Sequence, residues 1–168
     1  MIPTIIARNT AGVRGVGLPI LPPLERVSTH PGMIVHCTGG PSRTTDTAAG
    51  LERVRVIQHS HTAPKHWIER DGKRVNIGGN GWKYGGYGFV VLPNGVIVEM
   101  RGWGIRGAHA GGGKGYNRWI GVVVLGRGRD MTTAEQNSIL WLRGVHLERG
   151  GGDGVLPHNA VSRKACPG

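Results

Sequence analysis

The chain carries histidine, lysine and cysteine side chains in a pattern that suits zinc chemistry. The last thirteen residues read LPHNAVSRKACPG, so His158 and Cys166 are eight positions apart with Lys164 between them. Neutral imidazole and thiolate are ligands that Zn²⁺ prefers. His36 ends a short apolar run, and His109 lies in the small-residue loop GAHAGGGKGYN. Spacing alone allows either His109 or His158 to join His36 and Cys166, and three such ligands with one open position would make a catalytic zinc site.

The remaining histidines and the second cysteine favour structural roles. His59, His61 and His66 lie together in HSHTAPKH, but side chains two apart on a helix point in different directions. Because this stretch follows a helical pattern, we expect no second metal site there. Cys37 directly follows His36, and strand alternation places the two on opposite faces. We therefore expect Cys37 to be buried packing and not to form a disulfide with Cys166.

The segments that must position these residues predict an α/β fold. GMIVHC predicts a buried strand over about residues 33–37, and WIGVVVLG predicts another. TDTAAGLERVRVIQHSH predicts a helix capped by Asp46 or Thr47, and TTAEQNSILWLRGVHLERGGG predicts a second helix capped by Thr132 or Thr133. Strands interleaved with two helices indicate a single domain with a mixed central β-sheet flanked by helices.

A hairpin and an N-terminal arm complete the predicted domain. Two β-branched runs flank Asn94-Gly95 in YGFVVLPNGVIVEM, which predicts a tight hairpin with a type I′ turn. Residues 1–31 are rich in proline and glycine, so we expect them to form an irregular arm laid over the domain.

Composition limits the class of protein. A length of 168 residues fits one domain, residues 1–168, and 31 glycines indicate a loop-rich globular chain. No stretch has the length and apolarity of a membrane span. The net charge of +11 favours anionic partners, either nucleic acid, an acidic wall polymer or an anionic membrane. Charge is the only support for nucleic-acid binding, since no recognition helix or basic stripe with interleaved aromatics is present.

The chain resembles the zinc N-acetylmuramoyl-L-alanine amidases, the family that unites phage lysozyme-type amidases with the peptidoglycan recognition proteins. The segments that carry the resemblance run in the family's order over residues 33–168: IVHCTGG, VRVIQHSH, GYGFVVLPNGVIVEMRGW, GAHAGGGKGYNRWIGVVVLG and LPHNAVSRKACPG. Each segment is weak by itself, and their combination in this order is specific.

The resemblance implies a role for individual residues, matched position by position. It implies that the zinc ligands are His36, His158 and Cys166, that Tyr87 and Lys164 are catalytic, and that His109, Asn117 and Trp103 bind substrate. In an amidase the zinc activates water and polarises the carbonyl, a cation such as Lys164 stabilises the oxyanion, and Tyr87 orients the water or carries its proton.

The function implied is hydrolysis of the amide between N-acetylmuramic acid and L-alanine in bacterial peptidoglycan, as a phage endolysin or its catalytic domain. The alternative is a non-catalytic peptidoglycan-binding module, against which the presence of Tyr87, Lys164 and Cys166 argues. We expect a monomer whose basic surface attracts anionic wall polymers. The N-terminus lacks a signal-peptide pattern, so we expect synthesis in the cytoplasm and action on the wall after release.

The sequence departs from the family at two places. Gly88 stands after Tyr87, where the family usually has Asn or His. The connection over about residues 62–85 is longer than in the family, which predicts an extra loop at the edge of the cleft that alters substrate choice.

Overall fold

A computed structural model describes residues 2–8, 25–40, 44–111 and 115–162 of the protein. Its regular elements are β1 (Ile5–Ile6), β2 (Gly32–Cys37), α1 (Thr47–Thr62), β3 (Trp67–Arg70), β4 (Lys73–Asn76), β5 (Phe89–Val91), β6 (Ile97–Glu99), β7 (Ile120–Val124), α2 (Thr133–Glu148) and β8 (Gly154–Pro157). Short 3₁₀ turns lie at Tyr116–Arg118, Gly128–Asp130 and His158–Ala160.

Six strands form the central sheet in the order β1-β6-β5-β7-β2-β8. All neighbouring pairs are parallel except β5 and β6, which are antiparallel. Every residue of β2 and β7 is buried, as expected for strands covered on both faces. The predicted mixed sheet flanked by helices is confirmed.

The two helices cover opposite faces of this sheet. Val54 of α1 packs with Val90, Val123 and their neighbours, whereas Leu142 of α2 packs with a separate cluster that includes Met33 and Cys37. Cys37 is buried on the α2 side, as predicted from strand alternation. Consequently His36, the residue before it, belongs to the α1 side.

Both helices begin at caps that the sequence predicts. The side chain of Asp46 accepts a hydrogen bond from the backbone N–H of Ala49 at 2.7 Å. Thr132 caps α2 in a capping box, in which Glu135 N–H donates to Thr132 Oγ1 and Thr132 N–H donates to a Glu135 carboxylate oxygen. These bonds satisfy backbone donors that a helix start leaves free.

Three local expectations differ from the structure. The predicted type I′ turn at Asn94-Gly95 is wrong, because of these two residues Gly95 alone has a positive φ, and a type I′ turn needs two. Gly95 N–H instead donates to Leu92 O at 2.8 Å, and a longer loop joins β5 to β6. The arm contains β1, which pairs in parallel with β6, so it is not irregular throughout. The long connection contains the hairpin β3–β4, which forms its own two-stranded sheet.

No helix among the described residues is long and apolar enough to cross a membrane.

Candidate active site

Three histidines and a tyrosine come together on the α1 side of the sheet. The His36 ring centroid lies 4.2 Å from that of His158, 4.9 Å from that of His109 and 5.0 Å from that of Tyr87. His36 ends in this cluster because it is the penultimate residue of β2, and His158 follows directly after β8, which pairs with β2. Both side chains are almost fully buried.

A hydrogen-bond chain fixes the protons of His36 and His109. The carbonyl of Trp119 lies 3.0 Å from His109 Nε2 and can only accept, so His109 carries its proton on Nε2. Nδ1 of a neutral His109 is then an acceptor, and His36 Nε2, at 2.8 Å, must donate to it. This leaves Nδ1 of a neutral His36 with a free electron pair. Both nitrogens of His109 are engaged, whereas His36 retains one nitrogen that can bind a metal.

Burial keeps these two histidines neutral. Together with the nearby imidazoles of His109 and His158, it lowers the pKa of His36 to about 2. It lowers the pKa of His109 to about 4, against the opposing effect of the bond to Trp119. Protonation would place cations close together in a site of low polarity. Neutral imidazole is the form that ligates metal ions.

Asn117 holds the loop that carries His109. Its Oδ1 accepts from the backbone N–H groups of His109 at 2.8 Å and Ala110 at 2.9 Å, and its Nδ2 donates to Gly111 O at 3.0 Å. A Cβ atom on Gly121 of β7 would lie 2.6 Å from the His109 ring. The asparagine and this glycine therefore set the position of His109 relative to His36.

Tyr87 reaches the cluster from the segment before β5. Its carbonyl accepts from Arg101 N–H at 3.1 Å, and Gly88 N–H donates to Gly121 O at 2.8 Å. A Cβ atom on Gly88 would lie 2.9 Å from Ile120 Cγ1. Glycine at this position, where the family usually has Asn or His, thus lets the Tyr87 segment pack closely on β7.

Trp103 is not brought to this cluster. Its ring contacts Phe89, at a centroid distance of 4.8 Å, and stacks on His146 of α2 at 6.1 Å. The Arg149 guanidinium lies 5.4 Å from the ring centroid. These neighbours place Trp103 on the α2 side, the face of the sheet opposite His36.

His61 is a site residue that the sequence reasoning missed. Its Nδ1 accepts from Gly86 N–H at 3.0 Å, and its ring lies 5.4 Å from Tyr87 and 5.0 Å from Trp82. In the sequence, His61 was considered only as a possible metal ligand together with His59, two residues earlier. No sequence pattern marks this role, because His61 meets the segment before Tyr87 only in the folded chain.

Arg101 was missed as well. It is 7% exposed and donates from its guanidinium to the carbonyls of Gly85 and Arg106, both at 2.5 Å. Burial lowers the pKa of Arg101 to about 10, so it remains charged near neutral pH. Its charge adds to burial in lowering the pKa of His61 to about 4.

The donor set fits a zinc ion in its chemistry. His36 and His158 offer buried imidazoles side by side, and the expected third ligand, Cys166, lies outside the described residues, as does Lys164. Within the described ranges, no group of three His, Cys, Asp or Glu side chains is placed to hold a metal ion. A third protein ligand beside His36 and His158 would have to come from outside the described ranges, as the expected Cys166 does.

Comparison with known proteins gives a family and a fold. The family described as N-acetylmuramoyl-L-alanine amidase matches residues 27–168. The structure resembles wild-type Drosophila PGRP-LB, with 24% identity, a TM-score of 0.76 and coverage of 99% of this chain and 88% of that one. It also resembles a mutant of Drosophila PGRP-LB in complex with tracheal cytotoxin, with 25% identity, a TM-score of 0.75 and coverage of 98% and 88%.

An amidase of bacterial origin shares the fold too. The N-acetylmuramoyl-L-alanine amidase LysC from Clostridium intestinale is 22% identical, with a TM-score of 0.59 and coverage of 99% of this chain and 89% of that one. No curated protein sequence gives a significant match.

Proposed function

Because the chain belongs to the N-acetylmuramoyl-L-alanine amidase family, we propose that it is a zinc-dependent enzyme that cleaves the amide between N-acetylmuramic acid and L-alanine in bacterial peptidoglycan. The observation that carries the proposal is the hydrogen-bond chain from Trp119 through His109 to His36. It leaves a buried, neutral His36 with a free nitrogen beside His158.

In this proposal His36, His158 and Cys166 hold the zinc, and His109 positions His36 through their hydrogen bond. Bound zinc supplies the activation of a water molecule and the polarisation of the scissile carbonyl. Neutral imidazoles and a thiolate together carry one negative charge, so the site would keep a net positive charge that favours a developing oxyanion. Asn117 acts indirectly, because it holds the loop that positions His109.

Tyr87 and Lys164 act on the reacting groups. The Tyr87 ring lies beside His36, which supports a role for Tyr87 in orienting the attacking water or carrying its proton. Lys164, between two proposed ligands in sequence, supplies a cation to the oxyanion. His61 helps to position Tyr87, because His61 Nδ1 accepts a hydrogen bond from the backbone N–H of Gly86, the residue before Tyr87.

A non-catalytic peptidoglycan-binding module is the second candidate, because peptidoglycan recognition proteins share the fold. The two functions differ in their requirement for the metal and for Tyr87. An endolysin role is part of the first proposal, and a binding module would leave the wall intact.

The deciding experiment combines metal analysis with mass spectrometry of digested peptidoglycan. We expect one zinc per chain, release of peptides with a free L-alanine amino group, and loss of both zinc and cleavage in Cys166→Ala. Full zinc in Cys166→Ala would reject the ligand set, and intact peptidoglycan with zinc-loaded protein would reject the enzyme.

A further inference from the structure

The hairpin β3–β4 is a largely exposed two-stranded sheet that is joined to the candidate site through the end of α1. Asn76 fixes its base: Oδ1 accepts from the N–H groups of His66 and Gly78, at 2.9 and 3.1 Å, and Nδ2 donates to Gly79 O. The return segment then bonds to the end of α1, where Trp82 N–H donates to His61 O at 2.9 Å. Since the His61 ring contacts that of Tyr87, the hairpin is linked to the site by backbone hydrogen bonds followed by one ring contact.

The tip of this hairpin places two cations opposite each other. The register pairs Arg70 directly with Lys73 across the Asp71-Gly72 turn. Both turn residues have positive φ, 52° and 70°, as a tight hairpin requires. Side chains at directly opposed positions have Cβ atoms about 5 Å apart, and like charges there destabilise the pair. The two opposed cations therefore repel each other at an exposed position.

In the register of the hairpin, neither of the two tip cations has an acidic residue opposite it. Glu69 is paired directly with Arg74 in the register, so it faces the one basic strand residue that lies outside the tip pair. Arg74 also covers the ring of Trp67, with its guanidinium 5.1 Å from the ring centroid. Asp71 lies in the turn itself. Arg70 and Lys73 occupy the other face of the two-stranded sheet from Glu69 and Arg74, so one face of the tip is cationic.

We propose that this tip is a docking site for a phosphodiester polymer attached to peptidoglycan, a use that rests on the proposed function only in placing the protein at the bacterial wall. A phosphate bridging Arg70 and Lys73 would relieve their repulsion, and guanidinium pairs well with phosphate oxygens. The tip sequence RDGK has no apolar side chain to insert into a membrane. Docking at the hairpin would bring polymer-bearing peptidoglycan next to the cleft.

The test uses a substitution that separates structure from docking. Arg70→Glu places opposite charges across the turn, so the hairpin should be as stable as before or more so. Binding to the polymer should nevertheless fall about tenfold or more, the worth of a lost hydrogen bond between charged groups. The matched control is Arg127→Glu, which makes the same change of charge at an exposed arginine after β7.

Binding is measured by co-sedimentation with isolated walls, before and after chemical removal of the phosphodiester polymer, and with a purified polyol-phosphate polymer. We expect Arg70→Glu to lose binding to native walls and to the purified polymer, Arg127→Glu to keep both, and all three proteins to bind stripped walls equally. Cleavage of a small soluble muropeptide should be the same in all three.

Several outcomes would overturn the proposal. Equal losses in the two variants would show a general charge effect. A selective loss by Arg70→Glu on stripped walls would make the peptidoglycan itself the occupant, and parent protein that binds anionic lipid vesicles but not the polymer would make it a membrane. Because these measurements need no turnover, they stand even if the soluble muropeptide is left uncut, a result that would reject the enzymatic function alone.

Discussion

His36 Nε2 and His109 Nδ1 are 2.8 Å apart, and the second nitrogen of His109 is bonded to the Trp119 carbonyl. The two residues therefore have different roles. His109 fixes the position of the proton on His36, and His36 presents a free nitrogen. From spacing alone either His109 or His158 could have been the second imidazole ligand. The hydrogen bonds favour His158, since a ring with both nitrogens engaged has no electron pair to offer.

The first prediction contrasts these two residues. His36→Ala should abolish zinc binding, because it removes a ligand. His109→Ala should still bind zinc but with about 10–100-fold lower affinity, the usual cost of losing a partner that orients a ligand. Zinc titration against a competing chelator measures both, with His66→Ala, an exposed histidine, as control. Complete loss of zinc in His109→Ala would place His109 among the ligands instead.

The second prediction concerns the Tyr87 hydroxyl. Tyr87→Phe keeps the ring that packs against His36 and His61, so the protein should still fold and bind zinc. The rate of cleavage should fall about 10²–10⁴-fold, as for the loss of a group that transfers protons. Tyr116→Phe, whose ring packs on Trp119, is the matched control. Parent-level activity in Tyr87→Phe would mean that the hydroxyl takes no part in the reaction.

The third prediction concerns Lys164. Lys164→Ala should retain zinc and fold while kcat falls about 10²–10³-fold, the typical cost of removing an oxyanion-stabilising group. Lys164→Arg should recover part of the loss because it restores the charge, and Lys83→Ala, at an exposed position, should be silent. If Lys164→Ala digests peptidoglycan at the parent rate, the residue is a surface charge.

The fourth prediction is that the free energy of unfolding depends on pH because His61 becomes protonated. Burial and the charge of Arg101 lower its folded pKa to about 4, below the usual 6.5. Between those values the unfolded chain binds a proton that the folded chain does not, so this contribution to stability is present above pH 6.5 and is lost as pH falls toward 4. His61→Gln, which keeps an acceptor for Gly86 N–H, should reduce the loss.

Chelator-treated protein is the proper sample for that measurement, since zinc release would add its own pH dependence. Urea unfolding at pH 7 and pH 5 gives the two free energies for each protein. His66→Gln serves as the exposed control and should behave as the parent does. An acid sensitivity that is identical in His61→Gln and the parent would show that His61 does not cause it.

The sheet and helices could be predicted because their signals are local. Buried apolar runs marked β2 and β7, and caps at Asp46 and Thr132 marked the helix starts. Turn geometry could not be assigned from the residue pair alone. Asn94-Gly95 has the composition of a type I′ turn, but the chain closes through Leu92 and Gly95, whereas Asp71-Gly72 does carry two positive φ angles.

The site was harder to predict wherever it depends on which face of an element a residue occupies. His36 and Cys37 could be separated by strand alternation. Trp103 follows β6 in an irregular segment, where no periodicity indicates a face, and the structure places it against His146 on the α2 side. His61 and Arg101 approach Tyr87 through turns and backbone hydrogen bonds, which leave no pattern in sequence.

The last prediction concerns the net charge of +11 and its effect on intact walls. Basic side chains are exposed on α1 and on and beside the β3–β4 hairpin: Arg53, Arg55, Lys65, Arg70, Lys73 and Arg74. Attraction between such exposed charges and an anionic wall is screened by salt, with a Debye length of about 10 Å at 0.1 M and about 3 Å at 1 M. Contacts of buried groups within the active site are screened much less.

Raising salt should therefore slow the lysis of whole walls strongly, while cleavage of a small soluble muropeptide changes little. Both substrates are assayed with the same enzyme across one salt series, with zinc content and circular dichroism checked at each point. Equal salt sensitivity on the two substrates would show that the surface charge does not hold the enzyme at the wall.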